Sequence, residues 1–249
     1  KESAMKNLLL ISTALSLFLG SSSAFSQETN SIIRMSACNI NPGFSMADVV
    51  SIARGMPWDE NSPNAIFFRE PVAYTGITPT WDFIVAAYYN GYADMVVKRG
   101  ALRTLEVGRI GLIGDDLATC STLGRINDVH PANPGIIFDG TEATLMTTRT
   151  CELNNATTPQ DAVAIATKMG ANLDVSSQVT VRRYGGPAIS GNSKINMAFV
   201  YSDPADFGDT LDLITGGKIS PNTGLDADTP MTCNTGSLWL SHRIHAASN

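Results

Sequence analysis

Four cysteines stand in two pairs with one spacing. Cys38 and Cys151 are 113 positions apart, and so are Cys120 and Cys233. Two matched pairs at one offset point to an internal repeat, and a repeat dictates how a chain of this length is built. Other residues fall on the same offset: Asn41 on Asn154, Asp48 on Asp161, Ile52 on Ile165, Met56 on Met169, Arg69 on Arg182 and Tyr88 on Tyr201. Small insertions are expected to break the register near residues 91–110. The repeat divides the chain into one module at 27–140 and a second at 141–249. The segment His130–Gly135, rich in proline and glycine, is expected to link them.

Each module reads as the same series of elements. A strand carries the first cysteine (32–40 and 143–153). A helix follows, opened by Ser45-Met46-Ala47-Asp48 in one module and Thr158-Pro159-Gln160-Asp161 in the other. Both are capping boxes, in which hydroxyl and carboxylate satisfy each other's backbone N–H. Met46, Val49, Val50, Ala53 and Met56 then fall on one helical face. A second strand is expected at 65–74 and 178–184, and a third at 82–89 and 195–201. A second helix starts near Asn90 and near Asp203-Pro204, with stops at Gly100 and Gly216-Gly217. A last strand surrounds the second cysteine, at 118–126 and 231–240.

The order β-α-β-β-α-β is the ferredoxin-like plan. Two such modules in tandem resemble the dimeric α/β-barrel superfamily, whose members include cofactor-independent monooxygenases, haem-degrading enzymes and stress-response proteins. The resemblance implies an α+β fold, a pseudo-dimeric barrel, with a cavity between sheet and helices. It carries no catalytic residue onto any position of this sequence.

Three cysteine pairings are possible. In a ferredoxin-like sheet the first and last strands are neighbours, which favours Cys38–Cys120 and Cys151–Cys233, one bridge within each module. Metal and redox readings are weaker, because no CxxC or HxxxH spacing is present.

The net charge of −6 and a pI near 5.0 argue against nucleic acid or an anionic membrane surface as partner. Residues 1–26 read as a signal peptide with an upstream remnant: Met5-Lys6-Asn7, an apolar run over 8–19, and a cleavage site after Ser26. That run is too short to span a bilayer, and no later segment is apolar for long enough. The expected compartment is periplasmic or secreted, where four cysteines become disulfides.

Chemical motifs are sparse. There is no GxSxG, P-loop or GxGxxG. Asp203, Asp206, Asp209 and Asp212 lack the glycine turn and final glutamate of a calcium loop and read as a helix start. His242 and His245 are expected on a surface terminal strand. Asn155-Ala156-Thr157 is a glycosylation sequon. The remaining candidates are repeated polar or aromatic positions: Arg69 and Arg182 to receive an anion, Tyr88 and Tyr201 at the ends of third strands, and Trp58 in the first module only. Their plainer reading is arginines capping a sheet edge and aromatics in the core.

The sequence is therefore expected to encode an exported small-ligand-binding or interaction protein, with no cofactor and no metal. The alternatives are a cofactor-independent monooxygenase-like enzyme and a structural surface protein. It leaves the oligomeric state open.

Overall fold

The computed structural model describes residues 31–74, 78–104, 116–133, 142–154, 157–173, 175–184, 194–201, 203–215, 231–234 and 236–246. The expected leader, the sequon asparagine and the Gly216-Gly217 stop lie outside them.

The first half contains β1 (Ser31–Ile40), α1 (Met46–Arg54), β2 (Ala65–Ala73), β3 (Phe83–Tyr89), α2 (Tyr92–Thr104), β4 (Ala118–Cys120) and β5 (Arg125–Asn133). The second repeats the order: β6 (Thr144–Leu153), α3 (Pro159–Leu173), β7 (Ser176–Tyr184), β8 (Lys194–Tyr201), α4 (Pro204–Thr215), β9 (Met231–Cys233) and β10 (Ser237–Ala246). Within each half the sheet order is ferredoxin-like, β5-β1-β3-β2 and β10-β6-β8-β7.

The halves then exchange edges. β10 pairs with β2 of the first half, and β5 pairs with β7 of the second. Since β10 also pairs with β6, the path β1-β3-β2-β10-β6-β8-β7-β5 closes on itself, with every pairing antiparallel. Closure removes the exposed strand edges that would otherwise invite aggregation. β4 and β9 hang outside this ring, on β1 and β6.

Side chains alternate between the two faces of each strand. One face of β1, β2 and β3 presents Cys38, Ile66, Phe68, Phe83 and Val85, packed against Val49, Val50 and Ala53 of α1. The matching face in the second half presents Cys151, Val179, Val181, Ile195 and Met197 to Ala162 and Ala166 of α3. The opposite faces converge inside the ring. Both first helices open as read: the Ser45 and Asp48 side chains exchange bonds across the start of α1, and Thr158 and Asp161 do so for α3. Cys38 bonds Cys120 and Cys151 bonds Cys233, each pair directly opposite in its ladder.

Four expectations need correction. The last strand of each half is two strands, a three-residue piece holding the cysteine and a long ring strand after it. His130 to Asn133 is not linker: it belongs to β5, where Pro131 lies opposite Gln178 beside a register shift. A bulge is where a sheet tolerates a residue without an N–H. α2 runs through Gly100 to Thr104, since one glycine costs a helix only about 1 kcal/mol. β10 is no surface strand, because it is paired on both sides.

Candidate ligand-binding site

The ring encloses a cavity of about 350 Å³ lined by residues from both halves. Arg69 reaches it from β2. Its side chain is 8% exposed, and Nη2 donates to the Tyr88 hydroxyl at 2.6 Å. Gln178 on β7, from the other half, donates Nε2 to the same oxygen at 3.1 Å. With both acceptor positions of that oxygen used, its own proton is the bond Tyr88 still has to give. The guanidinium carbon stands 5.9 Å from the centre of the Tyr88 ring, within cation–π range.

The buried Nε of Arg69 has no partner. No aspartate or glutamate is among the described residues lining the cavity, and none forms an ion pair with Arg69. A desolvated cation without a counter-charge is costly, and the missing anion is the partner its chemistry calls for. Two more cations stand at the cavity wall. Lys194 is already paired with Glu152 at 2.7 Å, and Arg125 is exposed.

A second orphan lies across from Arg69. Asn127 on β5 is 6% exposed; its amide nitrogen donates to Thr180 Oγ1 at 3.4 Å, and its Oδ1 has no partner. Turning the amide over exchanges which atom is orphaned without removing the orphan. An aromatic group borders the same space. Trp81 and Trp239 stack with ring centres 5.9 Å apart and planes 2° from parallel, and Tyr74 meets both edge-on at 6.1 and 5.6 Å. Trp239 is held by its indole N–H, which donates to Thr148 Oγ1 at 2.8 Å.

No protein-family model matches the sequence, and no curated protein matches it. Solved structures do match the architecture. A candidate monooxygenase from Lactobacillus acidophilus NCFM superposes with a TM-score of 0.50 at 10% identity, over 88% of this chain and 96% of that one. An anthrone oxidase-like protein gives 0.47 at 8% identity, over 90% and 98%. A chlorite dismutase from Candidatus Nitrospira defluvii gives 0.41 at 9%, over 84% and 91%. Strand order, ring closure and the first of these likenesses agree.

The chain folds as a dimeric α/β barrel.

In this barrel the two halves are related residue by residue through their ladders, and the ladders correct the sequence offset. Ile32 faces Tyr89 in β1–β3, and its counterpart Leu145 faces Tyr201 in β6–β8. Tyr201 therefore corresponds to Tyr89, one position away from Tyr88. One residue of slip turns a strand side chain to the other face. Tyr201 accordingly points out of the barrel, packed at 5.3 Å against Phe207 of α4, where burial pushes its phenol pKa up. Arg69 faces Ile84, while Thr180 faces the corresponding Asn196, so the counterpart of Arg69 is Thr180 and not Arg182. The backbone of Arg182 lies opposite Asn127; its side chain is outside the description.

The structure thus brings Arg69 and Tyr88 together and leaves Trp58 and Tyr201 outside the cavity. Trp58 packs on the α1 core and stacks on His245, with ring centres 5.4 Å apart. Arg69 does not cap a sheet edge, because the ring has none at β2. Gln178, Asn127 and Trp239 had no signal in the repeat, since their ladder counterparts are chemically different residues. The remaining titratable groups lie outside the cavity: His242 sits 3.3 Å from Glu70, and burial, then the charge of Lys98, lower the pKa of His245, whose Nε2 is buried without a partner.

Proposed function

We propose that this protein is an exported binding protein whose barrel interior holds one small organic anion. The observation that carries this reading is Arg69: a buried guanidinium facing a cavity, with an unpartnered Nε and no carboxylate beside it. The anionic group of the ligand would take the Arg69 guanidinium as donor, through the side it turns to the cavity. Charge-assisted bonds of this kind are about twice as strong as neutral ones. Export is supported by two disulfides, which persist in oxidising compartments, together with the leader-like segment at residues 1–26. No described helix is long and apolar enough to cross a membrane.

The test is thermal unfolding against a panel of small carboxylates. A binder present at a hundred times its Kd adds about 2.7 kcal/mol to the stability of the folded state. The reading expects such a shift in the native protein and none in Arg69→Met. Equal shifts in both, or none from any acid, would count against it.

One observation favours a catalytic second reading. The Tyr88 hydroxyl accepts from Arg69 and Gln178, which both line the cavity, and its own proton has no acceptor among the described residues. The candidate monooxygenase that shares this fold makes a cofactor-independent oxygenation the reaction to assay. Oxygen consumption with a bound substrate, lost in Tyr88→Phe while binding remains, is the result that this reading requires.

A further inference from the structure

At three inward positions the two halves of the barrel differ in polarity. On the wall formed by β1, β2 and β3, the inward positions include Met35, Phe67 and Ile84. Their ladder counterparts are Thr148, Gln178 and Asn196. Three apolar positions of one half are three neutral hydrogen-bonding positions of the other. Asn127, with its orphaned amide atom, lies on the polar side, between β1 and β7. Trp239 takes the corresponding place on the apolar side, between β2 and β6.

Uncharged amides and hydroxyls facing a cavity cost stability unless something pairs with them. An ordinary ligand pocket is mostly apolar with a few polar groups. Half of this one is a surface of neutral donors and acceptors, suited to several hydroxyl groups rather than to one. The other half offers apolar contact at Ile33, Met35 and Ile84, suited to the C–H bonds of a saturated ring. A molecule that matches both has hydroxyls along its edge, C–H bonds on its face and one acidic group. We infer that the ligand is a polyhydroxylated acid of sugar size, such as a hexuronate, with its carboxylate at Arg69, its C–H face toward Met35 and Ile84 and its hydroxyls toward Thr150 and Asn196. The site is single, because the counterparts of Arg69 and Tyr88 are Thr180 and Val200.

This inference rests on the anion reading, so its test separates the two. Glucuronate, glucose and benzoate are titrated calorimetrically into the native protein, Arg69→Met, and the double variant Thr150→Ala with Asn196→Ile. That double variant installs the residues the first half already carries at the equivalent places. Circular dichroism and the unfolding midpoint confirm that each variant is folded. Glucuronate is expected to bind the native chain at one site, more tightly than either probe, and to lose binding in Arg69→Met. In the double variant its affinity should fall about fivefold for each hydrogen bond removed, roughly 25-fold in all, while that of benzoate stays within about twofold. Benzoate binding through Arg69 with no response to glucuronate would overturn the sugar-acid inference and leave the anion reading standing. No binding of either acid would overturn both.

Discussion

Replacing Arg69 by methionine separates a ligand-binding cation from a structural one. Methionine keeps the length of the side chain and removes its charge. The apo-protein loses one charge-assisted hydrogen bond, from Nη2 to the Tyr88 hydroxyl, of about 1.5–3 kcal/mol. It also sheds the desolvation cost of a guanidinium that is 8% exposed and has no counter-charge, a penalty of several kcal/mol. Tyr88 keeps its bond from Gln178, so the substitution creates no new orphan at the phenol. The balance favours the variant by about 1–2 kcal/mol. For a chain of this size that raises the unfolding midpoint by roughly 2–8 °C. Differential scanning calorimetry of ligand-free protein reads it directly. A variant that is instead 2 kcal/mol or more less stable would refute the reasoning, because Arg69 would then hold the barrel together rather than await a partner.

Other consequences follow from the same structure. Replacing Cys38 and Cys120 together by serine opens a loop with a sequence separation of 82 and should cost about 4 kcal/mol in chain entropy; urea unfolding giving a loss under about 1 kcal/mol would contradict this. Ser45→Ala and Thr158→Ala each remove a helix cap and should cost about 1 kcal/mol, nearly equally, by the same measurement. His245 has a folded pKa below its ordinary 6.5, through burial and then Lys98. Its contribution is therefore complete above pH 6.5 and lost as pH falls through the lowered folded value, and His245→Phe should flatten that part of the stability profile.

Much of the architecture was legible because it is local. Ser45 with Asp48 and Thr158 with Asp161 announce helix starts whatever surrounds them. The cysteines pin the register of β1 to β6 and of β4 to β9, and a ferredoxin-like order makes their pairing follow. Between those pins the offset drifts, by two positions at β2 and β7 and by one at β3 and β8. A drift of one sends Tyr201 to the outer face although it matches Tyr88 along the chain. Pro131 looked like linker because a proline in a strand is unusual, and only the bulge in β5 accommodates it. Ring closure was implied by the resemblance alone, since alternating apolar residues say which face is buried but not which strand lies alongside. The site depends on that closure. Gln178 reaches Tyr88 from the other half, and Asn127, Trp239 and Arg69 share a cavity only once β5 and β10 have crossed over.

The central claim is that Arg69 waits for an anion, and its own Nε–H reports on that. In the nitrogen–proton spectrum of labelled protein, one arginine Nε–H signal should vanish in Arg69→Met and thereby be assigned. Adding glucuronate or benzoate to the native protein should shift that signal in a saturable way, with a midpoint matching the calorimetric Kd. A signal that stays in place through saturating concentrations of both acids would contradict the account.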